Sequence, residues 1–263
     1  MTPADITIVI ASLAILIYLY FVVWLWNGIK KAHKNSAVEK TETISPLSIL
    51  IAAHNEGNSI SFTLDSLEDQ HYPKEKFEIV VVADRCSDTT ADMVKKHLDR
   101  LPMLKIIEVE KVPQGYSPKK FAIQTAIEAA QYDNLILLDA DCQLTPGALG
   151  WFNNYFHGGM EAIVSIPKFL SFPSILYNYY LPERILTWGI AAAAIGNRKP
   201  FLAFGPVWGY TKKAYEKAGG MARISHVLSG DDDLLVYQMG KSSLPIAFSF
   251  NPKGWGETRA PHT

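Results

Sequence analysis

The first long pattern along the chain is not periodic at all. Residues 6–26, ITIVIASLAILIYLYFVVWLW, form an uncharged apolar run, long enough to cross a hydrocarbon layer of about 30 Å as a helix. From residue 47 the pattern changes to short apolar runs separated by amphipathic stretches. LSILIAA, FEIVVVAD, LKIIEVE and NLILLDAD read as buried strands. Between them, NSISFTLDSLEDQ, TTADMVKKHLDR and PKKFAIQTAIEAAQ place apolar residues at helical spacing, with Asn58 or Ser59 as the first N-cap. Strands alternating with helices of this length predict a mostly parallel sheet covered on both faces. Later, EAIVSIPKFL and LPIAFSF read as further strands, TKKAYEKAGG as a short helix stopped by glycines, and SGDDDLLVYQM as a helix opened by three carboxylates. Thr145 and Pro146 are expected to cap and open a helix after the fourth strand. The aromatic stretch 172–196 is interrupted by Pro182, Glu183 and Arg184, leaving no run long enough to span. Burial is expected for it over an amphipathic position on a membrane surface.

Charge orients the first run. Lys30, Lys31 and Lys34 follow it, while the leader before it carries Asp5 and no cation. The positive-inside bias therefore places residues 30 onward in the cytoplasm, behind a single-pass anchor in the cytoplasmic membrane. A secretory signal would need a basic leader and a shorter apolar run. The expected organisation is an anchor over 1–30, a polar linker over 31–45, and one domain over 46–263 with an abrupt end that suggests a missing C-terminal portion. A net charge of −1 speaks against a nucleic-acid partner. Two distant cysteines, Cys86 and Cys142, supply neither a disulfide framework nor a zinc motif.

In such sheets ligands bind beyond the carboxyl ends of the strands, and there the polar residues gather. His54, Asn55 and Glu56 end the first strand, Asp84 and Arg85 the second, Asp139 and Asp141 the fourth. Two carboxylates flanking one small residue suit a divalent cation that shares phosphate oxygens. Asp231, Asp232 and Asp233 gain from a helix dipole, but three adjacent acids repel one another and raise at least one pKa, as a general base requires. Lys119 and Lys120 at a helix start form an anion site or plain surface, and neither GxxxxGK nor GxGxxG occurs. Asp84 can accept from a nucleobase or ribose, and Asp88 can equally cap the helix that follows.

Taken in order, these pieces resemble family 2 glycosyltransferases. IAAHNEGNSI is similar to that family's first nucleotide motif. SLEDQHYPKEKFEIVVVADRCSDTT resembles its Q-x-Y-P and D-D-x-S-x-D-x-T block, with Ala83 in place of the first aspartate. SPKKFAI resembles its lysine-bearing helix start, LLDADC its DxD, GPVWGYTKKAYEKAGG its acceptor-side segment, and SGDDDLL its base motif. The resemblance runs from about residue 46 to 250. It implies an α/β GT-A fold, a Rossmann-like nucleotide-diphospho-sugar transferase sheet flanked by helices. It also implies inverting transfer from a nucleotide sugar, UDP- or GDP-linked, to a hydroxyl of a lipid-linked or glycan acceptor in envelope glycan, glycolipid or polysaccharide synthesis. Asp232 would be the catalytic base. Ala53, Asn55, Glu56, Asp84, Lys119, Lys120, Asp139 and Asp231 would bind the nucleotide sugar, and Asp139 with Asp141 would hold Mn²⁺ or Mg²⁺. The Q-x-x-R-W of processive members is absent. Two other readings stand beside this one: a membrane-tethered nucleotide-sugar-binding module without turnover, and a haloacid-dehalogenase-like phosphatase with Asp139 as nucleophile.

Overall fold

The structure, a computed structural model, describes residues 2–169 and 175–258. Its first element is a single helix, α1, Pro3–Asn35, opened by a reciprocal cap between Thr2 and Asp5. The apolar part of α1 is exposed up to Val23, with Trp24 and Leu25 half-buried, and it is the one candidate membrane span among the described residues. The helix does not end with the apolar run but continues through the lysines into the domain. Residues 36–46 are a fastened strap rather than a free linker. Tyr155 Oη donates to Ser36 O, and the amides of Asn153 and Asn154 bond Ser45, Thr43 and Thr41.

The α/β pattern then follows as expected: β1 Leu47–Ala53, α2 Ile60–Glu68, β2 Phe77–Asp84, α3 Thr90–Lys95, β3 Leu104–Val109, α4 Pro118–Ala129 and β4 Asn134–Leu138. Short elements complete the chain: β5 Cys142–Leu144, α5 Ala148–His157, β6 Ala162–Val164, β7 Pro167–Phe169, α6 Ile175–Gly196, β8 Val207–Thr211, α7 Lys212–Lys217, α8 Asp231–Lys241, β9 Ile246–Phe248 and β10 Gly256–Thr258. Seven strands form the main sheet in the order β3-β2-β1-β4-β8-β6-β9, and β5-β10-β7 form a small second sheet. The β3-β2-β1-β4 half is parallel, as the βαβ pattern predicts, and β8 runs antiparallel to both its neighbours. Both faces are packed. Leu50, Val80, Val82, Leu135 and Leu137 face one apolar core, and Ile49, Ile51, Ile79, Val81 and Ile136 the other. That double burial is why these strands are continuous apolar runs.

Four expectations need correction. EAIVSIPKFL is two strands, β6 and β7, lying in different sheets. Thr145 and Pro146 do not start α5. Its N-cap is Gly147, in the left-handed region at φ 89°, while the Thr145 hydroxyl donates to Lys253 O. Helix α6 runs straight through Pro182. Its burial is also divided: Ala191–Gly196 are buried, whereas Tyr180, Ile185 and Leu186 are exposed.

Helix α6 is buried where it crosses α1. A Cβ on Gly196 would lie 1.9 Å from Gly28 O, and one on Gly28 would lie 2.3 Å from Ala193 O. The two backbones therefore touch, which only glycine permits. Asn197 fastens the crossing by donating to Trp24 O.

Candidate active site

The carboxyl ends of β1, β2 and β4 open onto a cavity of about 490 Å³. Ala53, His54, Glu56, Asp84, Arg85, Lys119, Asp139 and Asp141 are among the residues that line it. Strand length sets their positions: β1 and β2 pair in register to Ala53↔Ala83, so their polar successors emerge at one level.

The wall formed by β1 and β2 is knitted by its loops. Asn55 is held at φ 57° with its Oδ1 accepting from Ser87 N at 2.8 Å. Asp88 accepts from Gly57 N at 2.9 Å and Thr90 N at 3.0 Å, and its carboxyl is held below the usual range, chiefly by the Thr90 hydroxyl. Gly57 is required here, since a Cβ would meet Thr89 Oγ1 at 2.5 Å. The His54 ring donates from Nδ1 to Asp84 O, at 2.6 Å. Asn55 is therefore spent on the neighbouring loop and does not line the cavity, whereas Glu56 and Ala53 do.

Asp84 is buried and gripped by Arg85 in a two-pronged pair at 2.8 and 2.9 Å. Arg85, at φ 47°, was placed at the pocket edge by the sequence but given no role there. The signal was present, a cation beside the acid at a strand's carboxyl end.

On the opposite wall, Asp139 follows β4. Its N–H is held by Pro206 O and its Oδ1 accepts from Lys119 Nζ at 3.0 Å. Lys119 also lies 3.6 Å from Asp231 Oδ2. Partial burial pulls the Lys119 ammonium down, but Asp139, Asp231 and Asp232 outweigh it and hold it above its ordinary value. The position a Cβ of Gly205 would take shows how the acids converge. It is 3.5 Å from Asp232 Oδ2, 3.7 Å from Asp139 Oδ2 and 3.7 Å from Lys119 Nζ. Any side chain there would fill the space between them. Asp141 lines the same cavity and accepts a weak bond from the buried Cys142 thiol.

The three acids that open α8 differ in environment. Asp233 is spent on Ala203 N, at 2.9 Å. Asp232 is pushed up to about 6, first by burial and then by Asp233 and Asp231. A carboxyl so poised is mostly ionised at neutrality yet far more basic than an ordinary aspartate, so it can take a proton.

The two lysines of α4 part company. Lys120 is fully buried, and its ammonium donates to Ile224 O, Val227 O and Ser229 O. It fastens the loop that delivers Asp231–Asp233 and does not face the cavity, so its expected phosphate contact is corrected to a structural one.

The profile of Glycosyl transferase family 2 matches residues 48–219. This chain belongs to that family. Among curated proteins, the probable glycosyltransferase YdaM of Bacillus subtilis is 32% identical over 103 residues, 39% of this chain and 24% of that protein. The poly-beta-1,6-N-acetyl-D-glucosamine synthase of Staphylococcus epidermidis is 32% identical over 117 residues, 43% of this chain and 26% of the synthase. The matches thus span about a quarter of these longer relatives. Among solved structures, the Pyrobaculum calidifontis mannosyltransferase PcManGT, in complex with GDP-Man and Mn²⁺, superposes with a TM-score of 0.66 at 18% identity, covering 95% of this chain and 68% of its own. S. aureus TarS 1-349 with UDP-GlcNAc gives 0.60 at 18% identity, covering 83% and 59%. The family 2 chain therefore has the GT-A fold, and the phosphatase reading falls away.

Proposed function

We propose that this family 2 chain is an inverting transferase that moves a sugar from a nucleotide-diphosphate sugar to a hydroxyl acceptor. The observation that carries the reading is Asp232: a half-buried carboxyl raised to about 6, aimed at the same point as Asp139 and Lys119. In a single displacement, Asp232 takes the proton of the acceptor hydroxyl as that oxygen attacks the anomeric carbon. The bond from that carbon to the diphosphate oxygen breaks, and the nucleoside diphosphate leaves with the electron pair. The base stands on the wall opposite β1 and β2, so the acceptor would approach from the α8 side while Asp84 with Arg85, Ala53 and Glu56 seat the nucleoside. Lys119 would sit beside the diphosphate and Asp231 beside the sugar.

The carboxylates fit a divalent cation of the donor-sharing kind. Asp139 and Asp141 present hard oxygens to one cavity, and no group of three His, Cys, Asp or Glu is gathered among the described residues to cage a metal alone. Magnesium or manganese accepts such a pair and completes its shell from phosphate and water. When bound, the cation would neutralise charge on the departing diphosphate. The proposed setting is a cytoplasm-facing domain on a single-pass anchor, with a lipid-linked or glycan acceptor of the envelope.

A thermal-shift screen of nucleotide sugars with Mn²⁺ or Mg²⁺, followed by NMR of the product's anomeric configuration, tests this. Stabilisation by one donor only with the cation, and an inverted product, support it; a retained configuration refutes the mechanism.

A further inference from the structure

Where α1 meets α6, a second cavity of about 450 Å³ is lined by Lys31, Lys34, Asn35, Gly196, Asn197 and Arg198. Three of those six residues are cations and none is an acid. The surrounding sequence is equally one-sided, with no Asp or Glu at 27–38 or at 185–215, in a chain whose net charge is only −1. Among the described residues, Lys31, Lys34 and Arg198 take part in no ion pair. The Lys31 ammonium reaches only the Asn197 amide oxygen, at 3.4 Å. Arg198 is turned at φ 57°, out of the line of α6. The pocket is also fixed, because the backbones of α1 and α6 touch at Gly28 and Gly196.

Its depth identifies the ligand. The apolar run ends at Trp26, and Lys31 to Lys34 follow roughly 8–12 Å further along the helix at 1.5 Å per residue. The headgroup layer is about 5–8 Å thick on each side, so these residues stand at its outer edge, from which long lysine and arginine side chains reach back to the lipid phosphates. Lysines at a helix end gain from its dipole, but Arg198 stands on a different element and converges on the same cavity.

We propose that this pocket binds the headgroup phosphate of an anionic phospholipid, with Lys31, Lys34 and Arg198 as its cationic ligands and Asn197 as a polar contact. The inference rests on α1 spanning the membrane and is independent of the transfer chemistry. A lipid held there clamps the α1–α6 crossing and sets the height of the donor cavity above the bilayer.

The test uses the full chain in nanodiscs of phosphatidylcholine, alone or mixed with phosphatidylglycerol, with bound lipid counted by native mass spectrometry. The wild type is expected to retain phosphatidylglycerol over phosphatidylcholine by about tenfold or more. The Lys31→Gln/Lys34→Gln/Arg198→Gln variant should insert equally and lose that preference. A Lys95→Gln/Lys96→Gln/Lys111→Gln control, which removes the same charge elsewhere, should keep it. Insertion without any headgroup preference, or equal loss in the control, overturns the lipid site while leaving the span intact. Displacement of the lipid by inorganic phosphate at equal concentration makes it a soluble-anion site and overturns the assignment. A chain that never enters the discs overturns the span and the lipid site together, and leaves the donor cavity untouched.

Discussion

Lys119 donates to Asp139 at 3.0 Å and stands 3.6 Å from Asp231, so one ammonium ties the end of β4 to the start of α8. The proposed donor side and acceptor side are thereby fastened together by charge, across elements almost a hundred residues apart in the chain.

Removing that ammonium should change acidity as well as binding. Lys119 and Asp232 attract each other, so Lys119→Met withdraws a favourable charge and raises the Asp232 carboxyl further. The acid limb of the pH–rate profile, expected near 6 in the wild type, should move upward by about half a unit or more. Donor affinity should fall about tenfold. A profile recorded on both proteins decides it, and an unmoved limb would detach Lys119 from the base.

Lys120 should behave in the opposite way. Its buried ammonium satisfies three carbonyls of the loop before α8. Lys120→Met strands those acceptors and should cost about 2–4 kcal/mol by denaturant unfolding. Lys119→Met should cost less than about 1 kcal/mol, because its ammonium is exposed and its bridge is partly solvated.

Asp232 carries a stability signature with a definite sign. Its folded carboxyl is raised from 3.8 to about 6, so the folded state holds that proton more tightly than the unfolded chain. The stability it contributes is present below about pH 4 and is lost as pH rises to about 6. Asp232→Asn avoids that loss and should be the more stable protein by about 1–3 kcal/mol at pH 8. The advantage should shrink towards zero near pH 4, as read by thermal melts across the range.

Arg85 is the remaining test of the nucleoside wall. Arg85→Ala leaves the buried Asp84 without its partner and should cost about 1–3 kcal/mol of stability. Nucleotide affinity should fall about tenfold, measured by calorimetry on the folded fraction.

Much of this was legible before the structure. Strands β1, β2 and β4 are buried on both faces, so their apolar runs and polar ends were unambiguous, and Asp84, Asp139 and Asp141 fell where topology demands a pocket. Local patterns cannot report partners that come from far along the chain. Lys119 and Lys120 look alike in sequence, yet a helix turns adjacent residues about 100° apart, sending one to the cavity and one to the 224–229 loop. The role of Arg85 was hidden because it depends on Asp84 being buried. Three-residue strands such as β5, β7 and β10 carry too few positions for a period to show. The reversal of β8 is set by pairing with β4 and β6, which no single segment encodes. Pro182 looked like a break, yet α6 continues through it, at the cost of one ladder hydrogen bond.

The central claim is that Asp232 takes the acceptor's proton beside a donor held at Asp139 and Asp141. The most direct measurement is turnover and donor dissociation constant on the same preparations of wild type and Asp232→Asn, with nucleotide sugar and Mn²⁺. The account predicts a fall in turnover of about 10²–10⁴-fold with donor affinity kept within about threefold. Unchanged turnover, or turnover and affinity lost together, would contradict it.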